Sequence, residues 1–182
     1  MTTDSPGFRK LDEEVVHRGY AFEATVAHYR APDGATFSRD VIRHVGAVAV
    51  LPLHDDGTVT VVRQYRAPIE TRLLEIPAGL RDVADEPLEE TARRELAEEV
   101  GLVADRIEPL NRFHNAAGFS DEVVHVFVAT GLRSVASDVQ GPEEEDMVVE
   151  RHSLDDLVAM VLDGAITDAK TIIGVLLVAQ RP

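Results

Sequence analysis

The sequence predicts an α/β fold built around one long central helix. Three observations predict it. Of 182 residues, 45% are apolar and 28% charged, a globular balance long enough to bury one core. Strand-like runs rich in Val, Ile and Thr recur along the chain, each cut by a Pro, Asp or Gly turn. Residues 87–100 carry a helical period instead. The expected organisation is a small N-terminal antiparallel β region, residues 1–44, followed by the main domain, 45–182.

Each element has a local reason. Residues 1–7 are polar and carry no packing pattern. Residues 20–44 read as strands broken at Pro32-Asp33-Gly34, where proline presets one φ and glycine relieves another. Residues 45–53 and 58–65 read as strands joined through Asp55-Asp56-Gly57, a hairpin signal. A short strand, 73–76, enters Pro77-Ala78-Gly79. The central helix begins with Pro87 at its first position, where the missing N–H costs nothing, and Gly101 stops it. Residues 106–113, 123–129 and 147–151 read as further strands. Ser153 with Asp156 three residues on resembles a capping box and opens a second helix. A last helix runs over 168–180, its apolar stretch 172–178 facing a core or an interface.

Charge and composition exclude several classes. Basic residues number 18 and acidic residues 33, a formal charge of −15. Such a field disfavours nucleic acid and anionic membranes. A phosphate-bearing substrate then needs a cation or a local basic pocket. The chain has no cysteine, which excludes disulfides, thiolate metal sites and a cysteine nucleophile. The first ten residues hold no apolar signal core, and the longest apolar runs are too short to span a bilayer. The expected setting is soluble and cytoplasmic. The seven histidines show no metal-ligand spacing, and His125, between valines, reads as packed or surface.

The stretch from Gly79 to Leu102 carries the chemistry. With Leu88 at zero and about 100° per residue, Ala92, Leu96 and Val100 form an apolar arc. Glu95 and Glu99 fall at its edge, one turn apart on the same face, with Glu98 to one side. Carboxylates gathered on a packing face repel one another and are costly to bury. A hard divalent cation relieves both problems, and Mg²⁺ suits oxygen ligands. A solvated, Glu-rich helix is the plain alternative. Glu89 also falls within the arc and needs no metal, since a carboxylate suits a first helical turn.

Arg94-Glu95-Leu96-x-Glu98-Glu99-x-Gly101-Leu102 resembles the signature helix of the Nudix hydrolases. Five such polar or glycine positions coincide by chance roughly once in a million starts. The family pattern places five residues between the first Gly and the first Glu; here six separate Gly79 from Glu86. A one-residue loop insertion accounts for the difference and keeps Glu86 in step with Arg94. The resemblance implies a Nudix-type α/β/α sandwich with a mixed sheet. It also implies hydrolysis of a diphosphate by water with Mg²⁺ or Mn²⁺, two or more ions per site. It makes Glu95, Glu98, Glu99 and the Ala78 carbonyl metal ligands. It pairs Glu86 with Arg94 as support.

Flanking segments narrow the resemblance. Gln64-Tyr65-Arg66, Leu74-Glu75-Ile76-Pro77-Ala78-Gly79 and Gly118-Phe119-Ser120-Asp121-Glu122 are similar to the ADP-ribose pyrophosphatase branch. Arg66 is then implied at the substrate phosphates, a role its guanidinium suits, against the plain alternative of a surface ion pair. Glu122 is implied near the terminal ribose or its phosphate. Glu143, first of the acidic run in residues 141–146, is implied as the general base on a closing loop, with Glu145 next. Alanine at 117 replaces the branch's usual proline, which directs attention to GDP-sugars or dinucleotides as alternative substrates. His114 and Asn115 could add hydrogen bonds to a sugar or base. A Nudix-fold ligand sensor without turnover is a further alternative, opposed by the intact metal positions. Branch relatives are homodimers whose N-terminal strands reach the partner, and residues 20–44 fit such an arm.

Overall fold

The structure, a computed structural model, describes residues 7–136 and 146–181. The chain divides into two compact units. The first comprises Met1–Gly46 with His114–Val123, and the second comprises Ala47–Phe113 with Val124–Pro182.

In the first unit, β1 (Arg9–Arg18), β2 (Phe22–Arg30) and β3 (Thr36–His44) form an antiparallel sheet in that order. The turn at Pro32-Asp33-Gly34 forms as its residues dictate: Gly34 has φ 88° and the Asp33 side chain accepts the Ala35 N–H. Strand β1 has no counterpart in the sequence reading. It is an edge strand of mostly exposed, charged residues interrupted by two register shifts, so it carries no clean alternation. Segment 114–123 lines up on β3. Ile42 N–H donates to the Phe119 carbonyl at 2.7 Å, and Asp121 N–H to the Ile42 carbonyl at 3.1 Å.

The second unit carries two sheets. Strands β4 (Ala47–Pro52), β5 (Thr58–Arg66), β6 (Thr71–Glu75), β7 (Ala78–Leu80), β8 (Leu102–His114), β9 (Val123–Ser134) and β10 (Val148–Ser153) assemble as β7-β4-β9-β8 and β10-β5-β6. The larger sheet is mixed, since β4 runs parallel to β9 and antiparallel to β7. Alternation along β4 splits the core. Val48 and Val50 pack with Ala92 and Leu96 of helix α1 (Leu88–Val100). Ala49 and Leu51 pack with Leu157 of α2 (Leu154–Leu162) and Val175 of α3 (Ala169–Ala179). Helices thus cover both faces of the sheet, an α/β/α sandwich. Among the described residues no helix is long and apolar enough to cross a membrane.

Three local expectations need correction. The Asp55-Asp56-Gly57 turn closes, with Gly57 at φ 78°, but β4 and β5 share only a single bridge, Leu53 to Val59, before entering different sheets. Turn chemistry is local; the choice of sheet partner is not. Pro87 stands at the N-cap of α1 with extended ψ 141°, one residue before the helix. Strands β8 and β9 extend well past the ranges expected from their apolar runs. The other caps agree with the sequence. Gly101 ends α1 at φ 61°, and the Ser153 side chain accepts the Asp156 N–H.

Candidate active site

Helix α1 presents its acidic face to the sheet. Glu95 and Glu99 are 6% and 5% exposed, alongside fully buried Ala92 and Leu96. Glu89, on the first turn, is exposed and pairs with Arg93. Strand β7 lies against this face. Glu99 Oε2 accepts the Ala78 N–H at 3.1 Å, and Gly79 approaches the Glu95 carboxylate so closely that a side chain there would displace it. Absence of a side chain at 79 is what lets backbone and carboxylate meet.

Arg94 organises the carboxylates around it. It donates to Glu95 at 2.6 Å, to Glu98 at 3.2 Å, and to both oxygens of Glu86 at 3.3 and 3.4 Å. Asp82 lies 3.6 Å away. Hydrogen bonding from Arg94 holds the Glu86 carboxyl below its usual range. The longer loop before Glu86 passes through Asp85 at φ 60°, a left-handed conformation that aspartate tolerates.

Glu95, Glu98 and Glu99 with the β7 backbone supply oxygen only, which fits a hard divalent cation. Among the described residues no three His, Asp or Glu side chains are arranged to hold an ion. Arg94 engages Glu95 and Glu98, and the Ala78 N–H engages Glu99.

Arg66, at the end of β5, donates Nε and an NH2 nitrogen to Glu75 at 2.8 and 2.6 Å. Glu75 is 1% exposed. Its second cation is Lys170, which also donates to Asp168 at 2.9 Å. Glu99 and Asp168 act on Arg66 through their charge. The Glu75–Lys170 pair was not anticipated. Its only trace in the sequence is Asp168 three residues before Thr171, a helix-start pattern that places Lys170 on a first turn.

Glu122 belongs to the first unit. There the Asn115 side chain donates to its carboxylate at 2.9 Å. His44 Nδ1 stands 3.7 Å away and accepts the Gly46 N–H at 3.0 Å. The turn with Ala117 is closed by backbone: the Ala116 carbonyl accepts from Phe119 and Ser120 at 3.0 and 2.9 Å. His125 lies on β9; burial, with Arg81 and Arg112 nearby, pushes its pKa down. Glu143 and Glu145 lie outside the described residues.

The NUDIX domain family matches residues 43–173. The chain is 42% identical to an ADP-ribose pyrophosphatase of Mycobacterium tuberculosis over 94% of this chain and 83% of the relative. It is 36% identical to an ADP-ribose pyrophosphatase of Bacillus subtilis over 90% and 88%. A GDP-mannose pyrophosphatase of Yersinia enterocolitica is 36% identical over 70% and 69%. Among solved structures, an ADP compounds hydrolase superposes with a TM-score of 0.81 at 24% identity, covering 96% of this chain and 93% of the other.

Proposed function

The chain belongs to the NUDIX domain family, and from that membership we propose that it hydrolyses the diphosphate bond of ADP-ribose or a similar nucleoside-diphosphate sugar. The products are a nucleoside monophosphate and a sugar phosphate. The observation that carries the reading is the pair Glu95 and Glu99, buried one turn apart against β7. Two such carboxylates are costly for a purely structural helix face and useful for holding a cation against an anionic substrate.

Glu95, Glu98, Glu99 and the Ala78 carbonyl are the proposed holders of Mg²⁺ or Mn²⁺. A bound divalent ion would neutralise diphosphate charge and help ionise water. Arg66 binds the phosphates, and Glu86 supports the helix through Arg94. Glu143 takes the proton, with Glu145 as the next candidate. The role of Glu122 near the terminal ribose rests on the resemblance of its segment. Homodimerisation through the N-terminal unit belongs to the same proposal. Phe8, Val16, Tyr20 and Phe119 there are all more than half exposed, and a monomeric mass at micromolar concentration would refute it. A cytoplasmic setting agrees with the lack of cysteine.

The second reading is a GDP-sugar pyrophosphatase, favoured by Ala117 and by the likeness to the Yersinia enzyme. Product release with Mg²⁺ across ADP-ribose, GDP-mannose, UDP-glucose, dinucleoside polyphosphates, NADH and nucleoside triphosphates, with EDTA as control, decides between them. Folded protein silent on every substrate overturns hydrolysis altogether.

A further inference from the structure

Glu75 is a buried carboxylate that the proposed reaction leaves unused. It ends β6 at 1% exposure and carries two cations, Arg66 from β5 and Lys170 from α3. Lys170 is anchored in turn. It donates to Asp168, whose carboxylate caps α3 by accepting the Thr171 N–H at 2.9 Å and the Thr171 hydroxyl at 2.5 Å. Thr171 Oγ1 accepts the Ile76 N–H at 2.8 Å, closing the path back to the residue beside Glu75. Burial pushes the Glu75 carboxyl up, but Arg66 and Lys170 outweigh it and hold the group ionised.

An arginine that only needed to reach a phosphate would require none of this. The fork grips Glu75 through Nε and one terminal nitrogen, the other has no hydrogen bond among the described residues, and the Arg66 side chain stays 37% exposed. A bidentate grip fixes the plane of a guanidinium. It would also cancel the charge that should attract an anion. Lys170 also pairs with Asp168, so two cations face two carboxylates and the arrangement fixes the fork rather than adding net charge.

We propose that Glu75 and Lys170 are positioning residues that hold the Arg66 guanidinium in one plane, ready for a diphosphate. The proposal rests on the assignment of Arg66 to the substrate phosphates.

Steady-state kinetics on the best diphosphate of the panel test it, with Lys170→Met, Arg66→Ala and the double variant. Loss of binding made equally in ground and transition states raises KM and spares kcat. Lys170→Met is expected to raise KM about tenfold with kcat within about twofold, and Lys170→Arg to recover most of the loss. In the Arg66→Ala background the same change should alter KM by less than about twofold, since coupled residues are not additive. An equal rise of KM in that background overturns the proposal, as does lost kcat at unchanged KM, which marks a structural strut. An Arg66→Ala enzyme with native KM instead removes the Arg66 assignment itself, and the proposal with it. If Lys170→Met does not fold, Lys170→Gln, which keeps a donor to Glu75 without the charge, is read by the same outcomes.

Discussion

The carboxylate of Glu95 rests against the Cα of Gly79: a Cβ at residue 79 would stand 2.0 Å from Glu95 Cδ. The obstructing atoms are the end of a flexible side chain, so Gly79→Ala can be relieved by turning Glu95 away. Stability should then change little while the metal-holding face is disrupted. Displacement of about 1 Å in a reacting arrangement can cost roughly 10²-fold, and a loss of that order in kcat/KM is expected beside a near-native melting temperature. Unaltered activity would mean that the carboxylate position does not matter.

Glu99→Gln separates charge from shape. The glutamine carbonyl can still accept the Ala78 N–H, so the contact between α1 and β7 survives. What is lost is a negative ligand. Metal-borne charge stabilisation is worth several kcal/mol, so kcat is expected to fall by about 10²–10³-fold. Circular dichroism and melting should be close to those of the parent. Full activity on any diphosphate of the panel would remove Glu99 from the site.

Legibility in the sequence followed how local each cause was. Helix α1 was readable because period, cap and carboxylate spacing all lie within a short stretch, and Gly101 adopts the left-handed φ its place requires. Strand β1 was not, because its edge is kept soluble by charge and the alternation is overwritten. The separation of β4 from β5 was hidden for a different reason. The turn between them is correct, but the competing partners, β9 and β10, lie far along the chain. Likewise Glu75 and Lys170 are 95 positions apart, and no spacing rule joins them. The Arg94–Glu86 contact was legible only through resemblance to a known helix.

Acid stability should depend on Glu13. Its carboxyl is lowered to about 2, first by the hydrogen bond from Arg43 and then by those from Lys10 and Thr25. A group depressed on folding adds stability that is complete above its unfolded value and is lost as pH falls toward the folded value. The contribution of Glu13 should therefore fade between about pH 4.5 and 2. In Glu13→Gln the acid limb of a denaturation profile should be flatter across that window, with a lower plateau at neutral pH. Parallel profiles for the two proteins would show that the pairing does not stabilise the fold.

Thr171 joins the two halves of the buried network, so its hydroxyl can be tested without touching a charge. It is fully buried, accepts the Ile76 N–H and donates to Asp168. Valine has nearly the same shape but no oxygen, so Thr171→Val leaves a buried backbone donor without its acceptor. That omission costs about 1–3 kcal/mol. Chemical denaturation should show a lower midpoint at unchanged slope, because the surface exposed on unfolding is the same. The Asp168 carboxylate keeps the Thr171 backbone N–H, so α3 should remain capped and its helical signal intact. A midpoint unmoved from the parent would mean that water replaces the hydroxyl at Ile76, and that the link between β6 and α3 runs through Lys170 alone.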